Sequence, residues 1–136
     1  MPERRLDRGI LDTSVVIDLE RIDASALPRE VAVTSITMAE LAAGPHATSD
    51  AAERARRQDR LQRAEAAFDP IPFDAAAARA YGRIYAGVAA RGRKARGARA
   101  VDLLIAAVAA ATQLPLCTRN PDDFAGLEDI VTVVAL

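Results

Sequence analysis

The chain is short of several residue types. It has one cysteine, one histidine, no tryptophan, three phenylalanines and two tyrosines among 136 residues. A single cysteine, Cys117, excludes an intrachain disulfide framework. Its neighbours are apolar and no histidine stands close in sequence, so it reads as a small buried residue rather than a nucleophile. The lone histidine, His46, sits in a Gly-Pro-His loop and reads as incidental. No apolar run is long enough to cross a bilayer. The opening stretch from Met1 to Arg8 is charged and lacks the apolar centre of a signal peptide. These two absences lead to the expectation of a cytoplasmic protein with no membrane partner. Strong charge of either sign is also missing: 18 Lys and Arg stand against 19 Asp and Glu, a formal net charge of -1. Overall charge therefore does not advertise a nucleic-acid binder.

What is present is alanine, aliphatic residues and a patterned set of acids. With 51% of its residues hydrophobic, the chain can bury a real core, and residues 1–136 read as one domain. Alanine favours helix and close packing of helices on a sheet. The pattern predicts strands at Ile10 to Asp12, Val31 to Ser35, Ile71 to Phe73 beside Pro70 and Pro72, Leu116 to Thr118 and Val131 to Ala135. Helices are predicted from Val15 to Glu20, Thr37 to Ala43, Asp50 to Phe68, Asp74 (as cap) to about Ala90, and Ala100 to Thr112. The last of these is the most apolar and is expected to pack centrally. Alternation of strand and helix argues for an α/β fold with a parallel sheet covered on both faces.

The acids recur where a strand ends or a helix begins. Asp12 follows Gly9-Ile10-Leu11, and Glu40 follows the Val31 to Ile36 run. Asp102 precedes Leu103-Leu104-Ile105-Ala106-Ala107-Val108, and Asn120, Asp122 and Asp123 follow Leu114 to Thr118. In an open α/β sheet such points converge on the carboxyl rim, where ligands bind. Converging carboxylates repel one another and persist best around a cation, which points to a hard divalent metal, Mg²⁺ or Mn²⁺. Each acid also has a local explanation. Asp12 could cap the next helix. Thr37-Met38-Ala39-Glu40 fits a capping box. Asp102 could answer a helix dipole, and Asp122 could cap a short helix. Asp102 is the most informative, because a burying helix tolerates an acid poorly unless that turn opens onto a polar site.

Two basic groups could neutralise phosphate. Arg91, Arg93, Lys94, Arg96 and Arg99 form a run with no acid inside it. Arg54, Arg56, Arg57, Arg60 and Arg63 form another, diluted by Glu53 and Asp59. Either could equally be a solvated face.

Four blocks in order carry a family likeness: Ile10 to Asp18, Ile36 to Leu41, Val101 to Ala107, and Thr118-Arg119-Asn120-Pro121-Asp122-Asp123-Phe124. Together they resemble the PIN-domain ribonucleases, and most closely the VapC toxins of bacterial toxin–antitoxin pairs, over almost the whole chain. The resemblance implies a three-layer α/β/α fold with a mostly parallel five-stranded sheet. It implies an acidic pocket that binds Mg²⁺ or Mn²⁺ and hydrolyses RNA, with tRNA or ribosomal RNA as expected substrate. By motif, Asp12, Glu40 and Asp102 match the principal acids, with Asp12 and Asp102 as metal ligands. Thr13 or Ser14 matches a hydroxyl near the metal. Asn120 stands where the fourth acid is often found, and Asp123 is the substitute. Arg96 and Arg99 would clamp the RNA backbone. The resemblance also implies a homodimer and inhibition by a VapB-type antitoxin. Two other readings stand beside it. One is a metal-dependent phosphatase or phosphotransfer domain, although a second acid two residues after Asp12 is replaced by Ser14. The other is a noncatalytic interaction module of the same fold.

Overall fold

A computed structural model describes residues 5–92 and 98–136. Four parallel strands make the sheet, in the order β2-β1-β3-β4. They are β1 (Arg8–Leu11), β2 (Glu30–Ala32), β3 (Leu116–Thr118) and β4 (Val133–Ala135). The helices are α1 (Thr13–Ile17), α2 (Ser35–Ala43), α3 (Ala51–Ala67), α4 (Ala75–Ala90) and α5 (Ala98–Thr112).

The period-two alternation of the strands sorts two cores. Ile10 and Leu116, which are register partners, face a layer containing Ala77, Ile84 and Val88 of α4 and the buried Leu103 and Ile105 to Ala109 of α5. Leu11 and Cys117, the next pair, face Val15 and Val16 of α1, Leu41 of α2 and Ala64 of α3. Helices thus cover both faces, the three-layer arrangement expected of a parallel sheet. The structure also explains the glycine of β1. A Cβ on Gly9 would stand 2.7 Å from Pro28 Cγ and 3.2 Å from Cys117 Sγ, so the strand can lie against both only without a side chain.

Several expectations need correction. Among the described residues the sheet has four strands, not five. Ile71 forms only an isolated bridge to Thr34, through Ile71 N–H to the Val33 carbonyl and Ser35 N–H to the Ile71 carbonyl. Pro70 and Pro72 on either side have no N–H to extend the ladder. The first helix begins at Thr13 and ends at Ile17, with a separate 3₁₀ turn at Leu19–Arg21. The last strand starts at Val133 rather than Val131, whose side chain is buried in the α4–α5 core. Asp74 does cap α4, accepting from Ala77 N–H at 2.9 Å. Cys117 is fully buried, and burial pushes its thiol up to about 11, so it is a core residue. No helix among the described residues is long and apolar enough to cross a membrane.

Strand order places the site. From β1 the chain goes to β2 on one side, and later returns to β3 on the other. The reversal lies between β1 and β3, and at such switch points the carboxyl ends of the strands open a crevice.

Candidate active site

Asp12 stands at that crevice, directly after β1, and is only 4% exposed. Its backbone serves α1, the carbonyl accepting from Val15 and Val16 N–H. Its side chain does not: it makes no capping hydrogen bond. Instead Oδ2 accepts two hydroxyl protons, from Ser14 at 2.9 Å and from Thr118 at 2.8 Å. Each of those hydroxyl oxygens accepts a backbone N–H in turn, Ser14 from Arg119 at 3.2 Å and Thr118 from Asn120 at 3.0 Å. The loop after β3 therefore directs both hydroxyl protons onto one oxygen of Asp12. The other oxygen, Oδ1, is buried with no hydrogen-bond partner among the described residues. A carboxylate oxygen taken out of water without a partner is costly and calls for an explanation, an ion among them.

Glu40 is held in a similar way. The cap of α2 is Thr34, whose hydroxyl accepts Thr37 N–H at 3.1 Å, so the helix starts two residues before the expected capping box. Glu40 is thereby released from capping. Its Oε1 accepts from Thr13 Oγ1 at 2.6 Å, and Thr13 Oγ1 lies 3.0 Å from Thr37 Oγ1. Half-burial pushes the Glu40 carboxyl above its ordinary range, the Thr13 hydrogen bond opposes this, and the Asp12 charge adds to it.

Asp102 lies on the fifth residue of α5, not in its first turn, because the helix begins at Ala98. That distance weakens the dipole explanation, which fades beyond the first turn. Burial first, then repulsion from Asp12, Asp123 and Glu40, raises its carboxyl to about 7, while Arg99 pulls the other way. The repulsions identify the acids that share one field: Asp12, Glu40, Asp102 and Asp123. Within the last cluster Asp123 acts on Asp102. Asp122 lies inside the 3₁₀ turn Pro121–Phe124 instead of capping it; the residue before the turn is Asn120. Asn120 is exposed and contributes its backbone N–H to Thr118.

Of the expected basic residues, Arg99 reaches this region: its Nη1 donates to the Asp123 carbonyl at 3.1 Å. Arg96 lies outside the described residues. The second basic group is largely engaged within the fold. Arg56 and Arg57 pair with Glu53, Arg63 with Glu20 and Asp59, and Arg54 donates to the Pro45 and Thr48 carbonyls. Two hydroxyls at the site, Thr118 and Thr37, were not among the expected functional residues. Each carried a signal: Thr118 ends the strand that neighbours β1, and Thr37 stands one turn before Glu40 on its helix.

The donor set is all oxygen, which suits Mg²⁺ or Mn²⁺. Among the described residues no three acids are gathered tightly enough to enclose a bare ion as they stand. That is compatible with Mg²⁺, which keeps several waters and takes one or two carboxylates directly. The unpartnered Asp12 Oδ1 and the mutual repulsion at Asp102 are the observations that fit a cation.

The chain matches the PIN domain family over residues 10–129. It is 40% identical over 128 residues to Ribonuclease VapC5 of Mycobacterium tuberculosis, which covers 92% of this chain and 91% of that protein. Ribonuclease VapC8 of the same organism is 40% identical over 110 residues, 80% of this chain and 96% of its own. The crystal structure of VapBC-5 from M. tuberculosis, a member of the VapBC family of toxin–antitoxin systems, superposes with a TM-score of 0.83 at 38% identity. That match covers 96% of this chain and 99% of the matched one.

Proposed function

The chain belongs to the PIN-domain family, and from that premise we propose that it is a Mg²⁺- or Mn²⁺-dependent endoribonuclease, the toxin of a VapBC-type pair. The observation that carries this reading is the buried Asp12, with one oxygen fixed by two hydroxyls and the other without a partner among the described residues, beside an Asp102 that Asp12, Asp123 and Glu40 repel. Asp12 and Asp102 would hold the cation, Glu40 directly or through water, with Asp123 as the fourth acid. A bound Mg²⁺ or Mn²⁺ supplies Lewis-acid polarisation of a phosphate oxygen and makes water a better nucleophile at neutral pH. The chain's own groups prepare for this. Thr118 and Ser14 orient Asp12, Thr13 orients Glu40, and Arg99 offsets part of the negative field.

Water adds across the P–O3′ bond in this mode, leaving a 5′-phosphate and a 3′-hydroxyl. The 2′-hydroxyl is not the nucleophile, so a 2′,3′-cyclic phosphate among the products would contradict the mechanism. Single-stranded loops of tRNA or ribosomal RNA are the targets we favour, because A-form duplex hides its base edges.

The partner in this reading is a VapB-type antitoxin, as in the VapBC-5 system. A groove of about 440 Å³ between α1 and α3 combines apolar residues such as Val16, Ile17 and Phe68 with the charged Glu20, Asp59 and Arg60, a lining that suits an amphipathic partner segment. Ile17 is 47% exposed there. We take the working unit to be a homodimer, which sedimentation of the purified chain checks.

The test is cleavage of a panel of tRNAs and ribosomal RNA fragments by the antitoxin-free protein. Lanes with Mg²⁺, Mn²⁺ and EDTA run beside Asp102→Asn. Discrete cuts that vanish with EDTA and with Asp102→Asn are expected. Cuts that survive both would overturn metal-dependent catalysis at this site. Mn²⁺ binding without any cut would favour a noncatalytic module.

A further inference from the structure

Thr37, Thr13 and Glu40 form a hydrogen-bond chain with one direction. Thr13 Oγ1 donates to Glu40 Oε1 at 2.6 Å, and Thr13 and Thr37 Oγ1 stand 3.0 Å apart. A hydroxyl carries one proton and can also accept. The Thr13 proton is committed to Glu40, so Thr37 must be the donor of the second bond. Thr37 is fully buried, and Thr13 is the only partner of its hydroxyl among the described residues. Its backbone N–H is engaged separately by Thr34, so capping of α2 does not require the Thr37 hydroxyl. That hydroxyl therefore has one visible task, to hold Thr13. Chains of this kind polarise along their length, so the bond to Glu40 is strengthened by the one behind it.

We propose that Thr37, which touches neither substrate nor cation, is a positioning residue. By donating to Thr13 it keeps the Thr13 proton on Glu40 Oε1 and leaves Oε2 as the oxygen available to the site. The catalytic consequence rests on the ribonuclease reading; the hydrogen-bond relay itself does not.

The test compares Thr37→Val, which keeps the shape and removes the hydroxyl, with Thr37→Ser, which keeps the hydroxyl. Thr13→Val and the double variant complete a cycle, and Thr37→Ala replaces Thr37→Val should valine not fold. The first readout is the ¹³C resonance of the Glu40 carboxyl in metal-free protein, which needs neither RNA nor cation. The second is kcat and KM for RNA cleavage. In Thr37→Val the Glu40 resonance is expected to shift and kcat to fall roughly 10-fold with KM unchanged, the lower end of losses for residues that support metal ligands. Thr37→Ser is expected to restore both. The double variant is expected to be no worse than Thr13→Val, because the effect passes through Thr13. An unmoved Glu40 resonance in Thr37→Val, failure of serine to rescue, or additive losses in the double variant would each overturn the proposal. If the parent protein cuts no RNA, the ribonuclease reading falls, and the Glu40 resonance alone decides the relay.

Discussion

Thr118 Oγ1 donates to Asp12 Oδ2 at 2.8 Å, a bond between residues 106 apart in sequence. It exists because β1 and β3 are parallel neighbours with Leu11 opposite Cys117, so the residues that follow each emerge side by side at the carboxyl end. Leu11 and Cys117 are fully buried, which anchors both strand ends in the core. The sheet thus sets the orientation of the central acid, and the site inherits the rigidity of the core.

Removing that donor gives the first prediction. Thr118→Val keeps the buried shape but leaves Asp12 Oδ2 with Ser14 alone. Hydrogen bonds to charged groups are worth about 1.5–3 kcal/mol, so urea unfolding of the metal-free variant is expected to show a loss in that range. Cleavage is expected to fall roughly 10–100-fold, as for other supports of metal ligands. Thr118→Ser is expected to stay near the parent in both. A valine variant as active as the parent would mean that Ser14 suffices to orient Asp12.

Asp102 gives a prediction with a pH sign. Its folded carboxyl is raised from 3.8 to about 7, so between those values the folded state holds a proton that the unfolded chain releases. The stability linked to this group is therefore fully present below the ordinary carboxylate range and is lost as pH rises through about 7. Asp102→Asn removes the titration and the repulsion from Asp12, Asp123 and Glu40. Metal-free Asp102→Asn is expected to lose less stability than the parent between pH 4 and 8, and to be the more stable at pH 8. Its cleavage is expected to drop by more than about 100-fold, beyond the range for a supporting residue. Denaturant melts across pH, with and without the substitution, check the first part. Parallel pH profiles for the two proteins would remove Asp102 from the acid cluster.

The alternation of elements was legible because it depends on local periodicity; of the acids expected at strand ends or helix starts, Asp12 stands directly after β1, whereas Glu40 and Asp102 lie inside α2 and α5. What escaped was which polar group answers which. Glu40 reads locally as the end of a capping box, yet Thr34 takes the cap and Thr13, 27 residues upstream, takes Glu40. Thr13 and Ser14 were interchangeable as the hydroxyl near a metal; the geometry separates them, Thr13 to Glu40 and Ser14 to Asp12. Thr118 opens the fourth family-like block, but its role stayed hidden, because its partner is fixed only once β3 is known to lie beside β1. The expected strand at Ile71 shows the opposite error. Ile71 to Phe73 read as a short strand with the prolines in view, and those prolines reduce it to a single bridge.

Gly9 offers a test of the packing behind the site. Its place in β1 depends on Pro28 Cγ and Cys117 Sγ standing where a Cβ would go. Gly9→Ala is expected to destabilise by about 1–3 kcal/mol, the usual cost of inserting a methyl into a packed core, measured by urea unfolding. Both neighbours are constrained, Pro28 by its ring and Cys117 by its place in the central strand β3. A neutral alanine would show that the Pro28 loop can move away without loss.

Arg99 separates two roles that a basic residue beside an acid site can combine. Inside the fold it donates to the Asp123 carbonyl at 3.1 Å and lowers the Asp102 carboxyl against the repulsion of three acids. Toward solvent, a guanidinium with further N–H groups can also meet an RNA phosphate. Arg99→Ala is expected to raise Asp102 above about 7, so the acidic limb of the pH–rate profile moves to higher pH. If the same side chain meets phosphate, the slope of log RNA affinity against log salt also falls, by roughly one contact. The two readouts are independent. A shifted limb with an unchanged slope makes Arg99 an internal counter-charge that keeps Asp102 ready to ionise. A reduced slope with an unmoved limb makes it an RNA clamp whose bond to Asp123 merely fixes its stem.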